Sequence, residues 1–211
     1  MTVTVDGNVL VARPALSASR PPRKRVLLWL DLETTGLDPV RDVIIEYAAR
    51  VTDLGVEPLT AWAEGVVSPG DDDEIALALE VAVMHGGRDG LLAQAIARGV
   101  SVAEAEGALL ALLESARGAL PGVELLFCLA GSSVHFDRGF LAASMPRLLE
   151  QLYHQHLDVS SLLIAGEARG HGWPRALGVV HRARPDVERS IASYQAHLMR
   201  MRGPEEAELL S

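Results

Sequence analysis

The chain has 211 residues, about half of them hydrophobic, with a formal net charge of −9 and one cysteine. That length fills one α/β domain with short tails and leaves a second full domain cramped. The acidic balance argues against a protein that coats long nucleic acid by neutralising many phosphates, and the lone Cys128, inside LLFCLAG, excludes an intrachain disulfide and fits a small core residue in a reducing compartment.

Residues 1–24 are rich in Ala, Ser and Pro and end in SRPPRKR, so they read as a flexible N-terminal arm with at most a short strand at Thr2 to Val5. MTVTVDGNVL lacks the basic-then-apolar order of a secretion signal, and no apolar run approaches the roughly 20 residues of a membrane span. A cytoplasmic setting with no membrane partner is the expectation. From Arg25 the pattern turns to β: RVLLWLDLE, DVIIEYAARVTD and LTAWAEGVV, broken by turn residues at Gly36-Leu37-Asp38-Pro39 and Asp53-Leu54-Gly55, predict three consecutive antiparallel strands. Trp29 and Trp62 lie in these apolar runs and read as core.

The acidic DDDE at Asp71 to Glu74 opens a stretch with helical spacing through Ala97 and reads as a solvated helix entry. In SVAEAEGALLALLESARG, Ser101 and Glu104 have the spacing of a capping box. ELLFCLAGSS has the continuous apolar character of a strand buried on both faces. A helix from about Phe136 to Ala143, a short strand near HLDVSS, and a long helix from about Asp186 to Arg202 follow, before the charged tail at 203–211. This order predicts an α/β fold with a mixed sheet and helices on both faces, carried by one domain at 25–202.

Chemistry concentrates where burial is expected. Asp31 and Glu33 alternate along the first long strand, and a period of two puts both on one face. Like charges that close raise each other's proton affinity, so ionising both at neutral pH requires a positive partner. No cationic residue follows Arg25 in that strand, and the only lysine of the chain is Lys24. A hard divalent ion, Mg²⁺ or Mn²⁺, fits an all-carboxylate ligand set. Asp137 and Asp186 are further acids at the ends of buried runs, able to complete a cluster for two ions flanking a scissile phosphate. His181, five residues before Asp186, is the residue able to take a proton from the attacking water, imidazole being the side chain that changes charge near neutrality. A strand end with a solvated helix cap is the bland alternative for a lone Asp-x-Glu. His154 and His156 form an HxH which, even with His171, lacks a clear third zinc ligand and reads as surface.

Three segments together carry a resemblance: Asp31-Leu32-Glu33-Thr34-Thr35-Gly36, then Ser133-Val134-His135-Phe136-Asp137, then His181-Arg182-Ala183-Arg184-Pro185-Asp186. The chain resembles the DEDDh class of 3′-to-5′ exonucleases, and within it the oligoribonucleases, through Leu37-Asp38-Pro39, Asp42-Val43-Ile44-Ile45-Glu46 and Leu157-Asp158-Val159-Ser160-Ser161. The likeness runs from about Val26 to Arg200. It implies an RNase H-like fold with a mixed five-stranded sheet, a homodimer, and release of nucleoside 5′-monophosphates from short single-stranded RNA or DNA oligonucleotides. It further implies two divalent ions held by Asp31, Glu33, Asp137 and Asp186, with His181 as general base. Leu37 would wedge against terminal bases, and Thr34, Ser133, Ser160 and His85 would meet substrate, His85 being equally open to a structural role. Two departures stand out: Gly131-Ser132-Ser133 where the family often has Gly-Asn-Ser, and His154-Gln155-His156 where it tends to present an aromatic and an arginine. The missing guanidinium removes a bidentate phosphate grip, which bears on preference for dinucleotides.

Three rivals remain. A haloacid-dehalogenase phosphatase would need a lysine downstream of its aspartate, and none follows Lys24. A DNA-proofreading exonuclease subunit shares the chemistry but carries a polymerase-binding tail, for which residues 203–211 are short. A non-catalytic binding module should have lost the clustered acids, because without metal they only destabilise the domain.

Overall fold

The computed structural model describes residues 2–5, 8–11, 20–70, 90–168, 170 and 181–201. His85, the acidic run from Asp71 to Glu74, His171 and Trp173 lie outside them. Within the expected arm, β1 (Thr2–Val5) and β2 (Asn8–Val11) pair antiparallel as a two-stranded sheet, one strand more than the sequence suggested.

The main sheet is built around β3 (Arg23–Thr34), whose apolar run is buried from Val26 to Leu30. β4 (Ile44–Thr52) lies antiparallel on one side, followed by β5 (Ala63–Val66), and β6 (Glu124–Gly131) lies parallel on the other, followed by β7 (Leu157–Asp158). The order β5-β4-β3-β6-β7 is the mixed five-stranded sheet expected. Parallel pairing of β3 with β6 needs a crossover. That crossover includes α1 (Leu91–Arg98) and α2 (Val102–Ala119).

Alternation along β3 divides the interior into two layers. Leu28, Leu30 and Leu32 face a cluster with Leu109 and Leu113 of α2 and, from α3 (Val134–Ser144), Phe140 and Leu141. Leu27 and Trp29 face the opposite cluster, with Ala48, Cys128 and Val159, and with Ala183 and Val187 of α6 (Ala183–Met201). The Trp29 indole Nε1–H donates to Thr52 Oγ1 at 2.9 Å, so the largest buried side chain leaves no polar atom unpaired. The same alternation puts Asp31 and Glu33 on the Trp29 face, toward α6. Trp62 packs half-buried at the edge of the Trp29 cluster, with the Arg50 and Arg184 guanidiniums 5.4 and 4.9 Å from its ring centre.

Two boundaries differ from expectation for identifiable reasons. The strand near HLDVSS is only two residues long, because the Asp158 carboxylate accepts the Ser160 N–H at 2.9 Å and starts α5 (Val159–Glu167). α6 begins at Ala183 rather than Asp186, and Pro185 is tolerated in its first turn, where N–H groups have no partner within the helix. A short helix, α4 (Pro146–Gln151), joins α3 to β7 and was not foreseen. Among the described residues, no helix is long and apolar enough to cross a membrane.

The capping box is present: Ser101 Oγ accepts the Glu104 N–H at 3.2 Å, and Glu104 accepts the Ser101 N–H at 2.9 Å. Replacing Ser101 with Ala should cost about 1 kcal/mol in urea unfolding. Hydrolytic activity should be unchanged, because the box's hydrogen bonds stay within the first turn of α2.

Candidate active site

A hairpin loop, a strand end, a helix start and a chain turn converge at one end of β3. The register between β3 and β4 shifts between Glu33 and Thr34, and the chain leaves the sheet there. Asp42 organises the loop that follows. Its carboxylate accepts the Asp38 N–H at 2.8 Å and the Thr35 hydroxyl at 3.3 Å, while Thr35 Oγ1 accepts the Val43 N–H at 3.0 Å. Gly36 is required by this packing, since a Cβ there would sit 2.5 Å from the Asp42 carboxylate oxygens. The result is a tight loop that leaves Leu37 and Val40 exposed. Thr34 turns inward, buried, with its hydroxyl donating to the Gly36 carbonyl at 2.6 Å.

Behind the loop, Asp31, Glu33 and Asp186 each direct a carboxylate oxygen to one point, all three within 4.8 Å of one another. Among the described residues this is the one group of three or more His, Cys, Asp or Glu so arranged. Asp186 arrives from the first turn of α6, while the other two come from β3. Asp137, in the first turn of α3, is 3% exposed, and its Oδ1 accepts the Leu32 N–H at 3.0 Å. It therefore sits against the strand segment between Asp31 and Glu33. Of the sequence-predicted acids, three converge and the fourth is packed beside them.

The electrostatics follow from that crowding. Burial, then the charges of Asp137 and Glu33, push the Asp31 carboxyl up to about 8. Burial, then Glu46, raise Glu33 to about 7, and burial above all raises Asp137 to about 7, although the Leu32 N–H works the other way. Crowded acids whose charged forms are disfavoured by burial are groups that an added positive charge would stabilise. The all-carboxylate donor set suits a hard divalent cation, so the residues present fit a metal.

Two cations foreseen by no strand pattern are also here. Arg189 ion-pairs with Asp186 one turn along α6, and its charge opposes the rise at Asp31 and Glu33. Arg182 pairs with Glu46, the cross-strand neighbour of Glu33. Beyond Arg25, β3 carries no cation of its own, but α6 and the turn before it supply guanidiniums from afar. The signal available was Glu46 itself, an acid inside the apolar run IIEYAA.

His181 is exposed, two residues ahead of α6 and next to Arg182. Ser133 opens α3 in the left-handed region, φ 58°, held by its N–H donating to Asp158 Oδ1 at 3.0 Å and to Ser160 Oγ at 3.1 Å. The Ser133 and Ser160 hydroxyls stand 3.3 Å apart, with Ser133 exposed. A cavity of about 490 Å³ lies between β4, β5, α1 and the start of α6, walled by Glu46, Glu64, Arg98, Arg182 and Arg184. It does not include Asp31 or Glu33. His154 and His156 are exposed and belong to no metal-ligating group among the described residues.

Comparison with known proteins places these observations in a family. The chain is 37% identical over 185 residues to an oligoribonuclease of Corynebacterium glutamicum, covering 84% of this chain and 78% of that protein. It is 38% identical over 182 residues to an oligoribonuclease of Pseudomonas aeruginosa, covering 83% and 97%. Among solved structures it is similar to a moderately thermophilic exonuclease I of Methylocaldum szegediense, with a TM-score of 0.59, 25% identity, and 85% of this chain matching 41% of that one. The zinc-bound form of the E. coli exonuclease I complex with single-stranded DNA matches in fold, at TM-score 0.63 and 20% identity, over 84% of this chain and 41% of that one. The chain thus spans about two-fifths of the exonuclease I chains it matches. No family model matches.

The raised acids give a stability test. Below about pH 4 the Asp31 carboxyl is protonated in both folded and unfolded chains, so its shift has no effect. Between there and about 8 the unfolded chain releases this proton and the folded one retains it, so folded stability falls as pH rises. With EDTA present, Asp31→Asn should therefore gain on the natural protein in urea unfolding from pH 5 to pH 8, by on the order of a few kcal/mol. A stability gap unchanged over that range would contradict the raised acid.

Proposed function

Because the chain belongs to the oligoribonuclease family, we propose that it is a divalent-metal-dependent 3′-to-5′ exoribonuclease that degrades short oligoribonucleotides to nucleoside 5′-monophosphates. The observation that carries this reading is the convergence of Asp31, Glu33 and Asp186, from two separate parts of the chain, with Asp137 packed against the same strand. In this reading these four acids hold two ions, Mg²⁺ or Mn²⁺. When bound, the ions supply positive charge that draws in the scissile phosphate and offsets charge on the attacking and leaving oxygens. The negative surface is then no obstacle to a short polyanion.

The chain's own residues do the rest. His181, exposed at the rim, takes the proton of the attacking water, and imidazole is suited to that at neutral pH. Leu37 meets the terminal bases from a loop held rigid by Asp42, so its apolar contact loses little loop entropy on binding. The hydroxyls of Ser133 and Ser160 line the path of the substrate, Thr34 supports it through the loop its buried hydroxyl holds at Gly36, and His85 is a further candidate for contact. Asp137, fixed by the Leu32 N–H, stays in place when its charge is called on. A homodimer and a cytoplasmic setting belong to the same reading.

Two measurements test it. Incubation with 5′-labelled RNA and DNA ladders from two to about ten nucleotides, with Mg²⁺ or Mn²⁺, should show stepwise loss from the 3′ end, fastest on the shortest RNA and silenced by EDTA. Faster turnover of long DNA would favour a proofreading activity, and no turnover would favour a binding module. Asp137→Ala and His181→Ala should each lower kcat by at least about a hundredfold while unfolding stays cooperative. Full turnover in either variant would remove that residue from the mechanism.

A further inference from the structure

Glu46 is a buried acid in a place where another acid is least welcome. It lies directly across the β3–β4 ladder from Glu33, on the face that carries the acid cluster, and its charge raises both Glu33 and Asp31. It is not one of the three acids whose oxygens converge. All its visible bonds run instead to the turn between His181 and α6. Arg182 Nε donates to both carboxylate oxygens at 2.9 and 3.1 Å, Arg182 Nη2 donates to Oε1 at 2.6 Å, and the Ala183 N–H donates to Oε2 at 2.9 Å. Four charge-assisted hydrogen bonds thus tie the middle strand of β5-β4-β3 to two successive residues of the turn.

That turn has His181 on one side and Asp186 on the other. Ala183 is the first residue of α6, so anchoring its N–H fixes where the helix starts and hence where Asp186, one turn on, projects. His181 immediately precedes Arg182, whose guanidinium is clamped in a two-pronged geometry that a lysine could not reproduce. Stability alone is a weak reason for such a pair, because burying a charge costs about as much as the pairing returns. Registry of the turn against the sheet is a sufficient one.

We propose that Glu46 and Arg182 form a positioning pair that sets the turn carrying His181 and Asp186 against Asp31 and Glu33, without Glu46 ligating metal or touching substrate. This rests on the exonuclease reading above. Its physical content is that a small displacement of a proton acceptor slows the chemical step far more than it weakens binding.

The test uses the full chain with Glu46→Gln, Arg182→Ala, Arg182→Lys and the double variant E46Q/R182A. With a dinucleotide substrate, E46Q and R182A should each lower kcat by on the order of tenfold to a hundredfold with KM within about twofold. R182K should recover only part of the loss, and the double variant should be no slower than the worse single one, since both remove one unit. Mn²⁺ affinity measured by electron paramagnetic resonance should fall by a smaller factor than kcat, since Asp186 alone of the converging acids rides on the turn, and amide exchange at Ala183 should be slow in the natural protein and fast in R182A. If E46Q folds poorly, the partly exposed Arg182 provides the same reading through R182A and R182K. A natural protein inactive on every oligonucleotide would overturn the exonuclease reading and the positioning role with it. An active natural protein whose variants keep full kcat, or lose kcat while the Ala183 amide stays as slow to exchange as in the natural protein, would overturn the positioning role alone.

Discussion

Mutual repulsion among buried carboxylates at the end of β3 is the constraint around which this molecule is arranged. Asp31 and Glu33 share the Trp29 face of a strand with apolar neighbours, and Asp137, Asp186 and Glu46 are brought to the same end by three other elements. Removing such groups from water disfavours their charged forms, and crowding adds to the penalty. The domain tolerates this only because the rest of β3 is buried on both faces, so that the sheet can hold the acids where they would not otherwise gather.

The fold offsets part of the cost with guanidiniums drawn from one segment. Arg182 neutralises Glu46, and Arg189 neutralises Asp186, both from the turn and first turns of α6. Burial and crowding still raise Asp31, Glu33 and Asp137 despite these guanidiniums. That division separates the acids in function: Glu46 is tied to Arg182 and acts on the architecture, while the others are poised for a further positive charge. It also explains why α6 must be set accurately, since it brings an acid and its own counter-charge into the cluster together.

Much of this was legible in the residues. A continuous apolar run ending in Asp-x-Glu, with a period of two, gave both the strand and the shared face of its acids. The capping box at Ser101 and Glu104 and the buried strand ELLFCLAG followed from local rules that the structure obeys. A mixed five-stranded sheet followed from the resemblance, and its order β5-β4-β3-β6-β7 from the structure. What escaped has a common cause: long-range pairing leaves no local periodicity. Glu46 and Arg182 lie 136 residues apart, so nothing near either residue announces the other. The shortness of β7 was hidden for a different reason, because Asp158 satisfies the Ser160 N–H and turns a strand-like run into a helix start. The position of His85 lies outside the described residues, so its role stays with the sequence.

If burial and crowding make the acids hold protons near neutrality, metal binding must expel those protons. Calorimetric titration of Mn²⁺ into the chelator-stripped protein, in buffers of different ionisation enthalpy, measures that release directly. Heats that depend on the buffer near pH 7, reporting net proton release that fades as the pH rises past 8, are the expected result. Tight Mn²⁺ binding with heats independent of the buffer at pH 7 would mean that the carboxylates were already ionised, and the account would fail.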